Sequence, residues 1–252
     1  MTPRLSIIVA VLNSHEVVRR QILHFSRMPL PDGVEVVYLD DGSDPPLADP
    51  GLPWLRLVPT HDPRPWTWAV ARNTGARLAQ APYLLMTDID YVIPKAAISA
   101  AIAFDGDYLG FKREFGVLDE DGVFRNDPDT LLAYGLPPER LIARGASLPP
   151  HPNNFVIRRD LFFAMGGYPE DRVGQPYPQG EDSVFKRKRH EWVAAGTMTE
   201  CTGAERPLLY MFPGGQFLGD VDADPLKLFH TLSRKSPRNR WYLQPRTYGD
   251  AA

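Results

Sequence analysis

A chain of 252 residues that is 43% hydrophobic and 23% charged has an ordinary globular composition, which excludes a disordered or collagen-like chain and predicts one compact domain over 1–252. Its formal net charge of −3 rules out a global positive field drawing it onto DNA or anionic lipid, and leaves only local basic patches open. No apolar run approaches the roughly 18–20 residues of a membrane span.

Leu5–Leu12 is a nearly continuous, β-branched apolar run, the pattern of a strand covered on both faces. It is too short for a signal peptide and lacks a small-residue cleavage site. With one cysteine, Cys201, that cannot close an internal disulfide, this predicts a soluble, cytoplasmic protein. Asn13-Ser14 offers a cap to an amphipathic helix over 15–27, with Val18, Ile22 and Phe25 on one face. Val34–Leu39 is a second strand stopping at Asp40-Asp41-Gly42-Ser43, and Leu55–Val58 a third. A helix over 68–80, a fourth strand over 83–87 ending at Asp88-Ile89-Asp90, and a helix over 95–104 complete an alternation that signals an open α/β sheet. The 26 prolines cluster in short groups that punctuate these elements.

Beyond residue 105 the pattern changes. The stretches 107–115 and 122–125 around a turn at 118–121 predict a hairpin. Phe155–Arg158 reads as a strand entering a helix over 160–165 that Gly166-Gly167 ends. A helix over 181–195, short strands at 197–202 and 207–212, and a last helix over 225–233 before a Pro- and Arg-rich tail follow.

In an open α/β sheet, ligands sit beyond the carboxyl ends of the strands. Strand one ends at Asn13, strand two at Asp40-Asp41, and strand four at Asp88 and Asp90, so one rim receives four carboxylates. Such a cluster is costly without a cation or ligand donors. Asp-x-Asp itself recurs at 88–90, 105–107, 119–121, 127–129, 220–222 and 222–224. Only the first directly follows a hydrophobic strand, where residues i and i+2 point to one side and can face one divalent ion. The other copies read as solvated turn carboxylates. Arg72, in the helix before that strand, suits a nucleobase or phosphate; its plainer reading is an ion pair with a surface acid.

These residues carry a family resemblance. Leu5–Asn13, Asp40-Asp41-Gly42-Ser43, Ala71-Arg72-Asn73-Thr74-Gly75 and Thr87-Asp88-Ile89-Asp90 are followed by Asn154-Phe155-Val156-Ile157-Arg158-Arg159, Gly166-Gly167-Tyr168-Pro169-Glu170 and Gly180-Glu181-Asp182. In order and spacing, from about residue 4 to 195, they resemble the inverting nucleotide-sugar glycosyltransferases of family 2. The resemblance implies an α/β GT-A fold: a Rossmann-like nucleotide-binding half over about 1–105 with a mixed central sheet, and a smaller acceptor-binding half over about 106–252. It implies transfer of one sugar from a nucleoside-diphosphate sugar, a UDP-sugar being expected, to an acceptor hydroxyl. Asp40 or Asp41 would accept from the nucleobase with Arg72 nearby, and Val11, Asn13 and Glu181 would complete the donor site. Asp88 would approach the ribose or the metal, Asp90 would hold Mn²⁺ or Mg²⁺, and Asp182 would be the catalytic base. Such a displacement needs a cation for the departing diphosphate and a carboxylate for the acceptor proton.

Departures bear on the acceptor. Processive members of the family carry Gln-x-x-Arg-Trp near the end; here Arg240-Trp241 is present but Pro237 stands in the glutamine's place, which points to single addition. His151 and His230 are candidates for a third metal ligand. The basic runs 186–190 and 234–246 read most simply as solvated surface, which favours a small or glycan acceptor. The alternatives are a polyanionic acceptor such as hydroxymethylated bases in DNA, and a non-catalytic nucleotide-sugar-binding module.

Overall fold

Along the first strand, β1 (Leu5–Val11), alternate side chains enter different cores. Leu5, Ile7, Val9 and Val11 join one buried cluster, and Ile8 joins a second with Val37, Leu39, Leu84 and Met86. A strand buried on both faces needs a helix on each side, and the next elements supply them. In α1 (His15–Arg27), Val17, Val18 and Phe25 cover the first face. After β2 (Val34–Asp40) and β3 (Leu55–Pro59), helix α2 (Trp68–Leu78) covers the second through Ala69, Ala71 and Ala76. The computed structural model describes residues 3–62, 67–136, 138, 141, 151–172, 181–201 and 206–213.

Helix α2 lies against the sheet so closely that a Cβ on Gly75 would stand 2.5 Å from Cγ2 of Ile8 and 2.7 Å from Cδ2 of Leu39. The chain continues through β4 (Tyr83–Asp88), β5 (Tyr91–Val92), α3 (Lys95–Ala103), β6 (Tyr108–Gly110), β7 (Lys112–Phe115), β8 (Val117–Leu118) and β9 (Phe124–Arg125). Then come α4 (Pro128–Ala133), β10 (Phe155–Arg158), α5 (Arg159–Ala164), a 3₁₀ turn at Glu170–Arg172, α6 (Glu181–Ala194), β11 (Glu200–Cys201) and β12 (Leu208–Met211). The central sheet has the order β11-β6-β10-β4-β1-β2-β3. β4, β1, β2 and β3 run parallel, and β10 runs antiparallel to both β4 and β6, so the sheet is mixed as expected. β5, β12 and β7 form a second, three-stranded sheet.

Register fixes the rim. Val11 pairs with Asp40, and Ala10 with Asp88, so the acidic ends of β2 and β4 emerge level on either side of β1.

Two local expectations are corrected. The stretch 107–115 does not form one arm of a hairpin: buried Phe111 separates β6 in the central sheet from β7 in the second. The hairpin lies further on, between β8 and β9. Helix α4 is absent from the expectations although its signal is present: Pro128 opens it, and Asp127 Oδ1 accepts from the Thr130 N–H at 2.9 Å. The expected helix over 225–233, His230 and the basic tail lie outside the described residues. Among the described residues, no helix is long and apolar enough to cross a membrane.

Candidate active site

Each turn beyond the rim is closed by its own polar groups. Asn13 takes a positive φ of 48°. Its N–H donates to Ser43 Oγ at 2.9 Å, and its Oδ1 accepts from the Asp44 N–H at 2.8 Å. Asp40 spends both oxygens on its own loop, accepting from the N–H groups of Ser43 and Leu47, each at 2.9 Å. Asp41 is fully buried; its Oδ1 accepts from the hydroxyls of Thr60 and Thr67, and its N–H donates to the Val11 carbonyl. The side chain of Val11 belongs to the core, so Val11 meets this rim through its backbone.

Arg72 is the electrostatic centre. It is 2% exposed, and its Nη2 reaches Asp88 Oδ1 at 2.5 Å while Nη1 stands 3.7 Å from Glu181 Oε1. Its guanidinium carbon lies 5.3 Å from the ring centre of Tyr168 and 5.9 Å from that of Trp68. Burial works against its charge, but Asp88, Tyr168 and Glu181 outweigh burial and raise its pKa. Burial raises the pKa of Glu181, and the Arg72 charge opposes that rise. The next residue along α2 is a clasp. Asn73 donates through Nδ2 to the Tyr168 carbonyl at 2.9 Å and to Glu170 Oε1 at 2.8 Å, and its Oδ1 accepts from the Tyr168 N–H at 3.0 Å. Gly167 has a φ of +63°, and a Cβ there would meet Asn73 Oδ1 at 2.7 Å, so only glycine lets this loop close.

Asp90 is half-buried beside Asp88. Burial first, then the neighbouring Asp88 charge, push its pKa far above the usual carboxylate range, against the pull of Arg113 and Arg72. His151 places Nδ1 at 3.4 Å from Asp88 Oδ2, and the same nitrogen accepts from the Asn153 N–H at 3.3 Å. Burial lowers its pKa, with Asp88 and Asp182 pulling the other way, and the Asn153 N–H donated to Nδ1 marks that nitrogen as the one presenting a lone pair. Among the described residues, no three His, Cys, Asp or Glu side chains already converge as a metal cage. The donor chemistry nevertheless fits a divalent ion. The Asp88 charge raises the proton affinity of Asp90, and an imidazole stands beside Asp88, a set of oxygen and nitrogen donors that a hard cation would relieve.

Asp182 opens α6 beside Glu181. Its Oδ1 accepts from the Ser183 N–H at 2.7 Å, its side chain is half-buried, and its charge is felt at His151. An acidic first turn complements the helix dipole, so Asp182 also stabilises its own helix. Within α6 the one buried residue is Phe185. Its ring stacks on Phe155 at 5.2 Å and on Tyr168 at 4.9 Å, and Phe155 stacks on Tyr108 at 5.1 Å. Arg189 caps that stack 4.6 Å above Tyr108 and donates to its hydroxyl at 2.7 Å. The basic run 186–190 is therefore not uniformly solvated, because Arg189 turns inward.

The structure thus brings Arg72, Asp88, Asp90, Glu181, Asp182 and His151 together, and places Asn13, Asp40 and Asp41 along the same rim. Sequence reasoning missed Trp68, and gave Tyr168 and Asn154 no role beyond their places in motifs. Asn154 accepts from the Thr87 hydroxyl at 2.8 Å and leaves its buried Nδ2 without a hydrogen-bond partner. Its place opposite the end of β4 gives it that role.

Residues 6–108 match glycosyl transferase family 2. No curated protein matches the chain. Among solved structures, S. aureus TarS residues 1–349 in complex with UDP-GlcNAc is similar at a TM-score of 0.53 and 15% identity, over 95% of this chain and 78% of that one. A mannosyltransferase from Pyrobaculum calidifontis, PcManGT, in complex with GDP-Man and Mn²⁺ is similar at 0.51 and 18%, over 96% and 72%. Against S. aureus TarS in its longer form the score is 0.52 at 18% identity, and this chain spans 36% of that one's length. The sheet, the rim and the match of residues 6–108 to glycosyl transferase family 2 agree, and the fold is of the GT-A type.

Proposed function

We propose that the chain transfers one sugar, with inversion, from a nucleoside-diphosphate sugar to an acceptor hydroxyl, aided by Mn²⁺ or Mg²⁺. The observation that carries this reading is the meeting, in a chain whose residues 6–108 match family 2, of Asp88 and Asp90 at the strand end with Asp182 at the start of α6, bridged by Arg72 and Glu181. The donor lies along the rim from Asn13 to Asp88. Asp40 or Asp41 is the residue offered to the nucleobase. Asp88 and Asp90 hold the cation, with His151 as the neighbouring nitrogen donor. When bound, the cation stabilises the negative charge of the departing diphosphate.

Arg72 pairs with Asp88 from beneath and reaches Glu181 in the first turn of α6. Asp182 accepts the acceptor's proton as that oxygen attacks the anomeric carbon. The new carbon–oxygen bond forms opposite the bond to phosphate, which breaks with its electron pair leaving on the nucleoside diphosphate. The small or glycan acceptor is preferred, because part of the 186–190 run is spent on packing. A half over about 1–105 for the donor and the remainder for the acceptor, in a single domain, is the organisation this reading takes. The test is hydrolysis and transfer across a panel of UDP- and GDP-sugars with Mn²⁺, with Mg²⁺ and in EDTA. Metal-dependent release of one nucleotide supports the reading, and full activity in EDTA sinks the cation's role.

A further inference from the structure

Gln21 lies on the face of α1 that Val17, Val18 and Phe25 bury, and is itself 3% exposed. A buried amide is costly unless both its ends are bonded. Here they are. Nε2 donates to the Ile89 carbonyl at 2.6 Å and to the Tyr91 carbonyl at 3.0 Å, while Oε1 accepts from the Tyr38 hydroxyl at 2.7 Å. The carbonyl between those two, that of Asp90, accepts from the Phe212 N–H at 2.9 Å. Three successive carbonyls of the turn beyond β4 are therefore held by parts of the chain remote from one another. Tyr38 fixes the direction of the amide: burial keeps its phenol protonated, so it donates to Oε1 and both Nε2 hydrogens face the turn.

We propose that Gln21 is a positioning residue for the cation: by bridging the carbonyls of Ile89 and Tyr91 it sets the direction in which Asp90 presents its carboxylate beside Asp88. This rests on the reading of Asp88 and Asp90 as cation ligands. Two carboxylates that repel each other drift apart unless the backbone beneath them is fixed. A cation would otherwise have to organise the turn as it binds. Groups that orient metal ligands from behind are commonly worth about 10–100-fold in metal affinity.

The experiment compares the full chain with Gln21→Met, which keeps the shape and removes the amide, and with Tyr38→Phe, which removes only the third bond. Two quantities are read: amide hydrogen exchange at 89–92 without ligand, and the Mn²⁺ concentration that half-saturates UDP binding, with metal-free UDP binding alongside. Gln21→Met should speed exchange at 89–92 while leaving β1 and α2 unchanged. It should raise the Mn²⁺ requirement about 10–100-fold and leave metal-free UDP binding as it was. Tyr38→Phe should move both quantities the same way by less, and it decides the matter if Gln21→Met does not fold. Unchanged exchange at 89–92 in a folded variant overturns the clamp. Faster exchange with an unchanged Mn²⁺ requirement, or with an equal loss of metal-free UDP binding, overturns the positioning role. Mn²⁺-independent UDP binding by the wild type overturns the cation reading instead, and the exchange data still decide whether Gln21 clamps the turn.

Discussion

Arg72 meets Asp88 at 2.5 Å from inside the protein, so the carboxylate at the end of β4 is held from below by a charge that is itself buried. Removing one partner of such a pair leaves the other uncompensated, which costs about 3–5 kcal/mol. Arg72→Met should therefore lower stability by that order in urea unfolding and abolish transfer. Adding Glu181→Gln removes one of the two stranded charges and should restore part of the stability without restoring activity. A double variant no more stable than Arg72→Met would show that Glu181 does not depend on Arg72.

Asp90 and Asp182 should separate into two phenotypes. On the proposed reading Asp90→Asn removes a cation ligand, so binding of the nucleotide in the presence of Mn²⁺ and turnover should fall together. Asp182→Asn should leave donor binding intact and lower turnover by about 10²–10⁴-fold. Calorimetric titration with UDP and Mn²⁺, alongside initial rates, distinguishes them; a matching loss of donor binding in Asp182→Asn would remove it from the role of base.

Glu16 gives a pH dependence away from the site. The Arg19 hydrogen bond is the main cause, and together with Arg20 it outweighs burial and lowers the Glu16 pKa from 4.5 to about 2. A folded-state pKa below the unfolded one means stabilisation that is present above pH 4.5 and fades as pH falls towards 2. With Arg19 half-exposed, the gain at neutral pH is about 1 kcal/mol. Glu16→Gln should lower the melting temperature at pH 7 and converge on the wild type near pH 2, as thermal melts across that range will show.

Gly75→Ala inserts a methyl into a gap already closed by Ile8 and Leu39. Overpacking of this kind costs about 1–3 kcal/mol, which exceeds the helix propensity gained over glycine, about 1 kcal/mol. The variant should unfold at lower urea concentration than the wild type.

The parallel strands β1, β2 and β4 were legible because their signals are local. The burial of Leu5–Val11 on both faces, and the strand ends at Asp40 and Asp88, follow from runs of apolar residues that stop at acids. The 107–115 stretch was misread because two strands of different sheets, joined at Phe111, look like one in a window of nine residues. Arg72 was found as a residue type suited to phosphate or base, yet its partners Asp88 and Glu181 are fixed by tertiary placement that spacing does not encode. Gln21 left no trace in the sequence, since a glutamine on an amphipathic helix is ordinary until Ile89 and Tyr91 are seen beside it.

The rings of Tyr108, Phe155, Phe185 and Tyr168 stand in a column with Arg189 over one end and Arg72 over the other. Phe185 is the one buried residue that α6 contributes, so the outward turns of this helix are under little packing restraint. Its exposed positions, Lys186 and Arg187 among them, can be rewritten for new acceptors or for attachment to a surface. Such changes leave Phe185 and the ring column in place, which makes the outward face of α6 the natural handle for redesign.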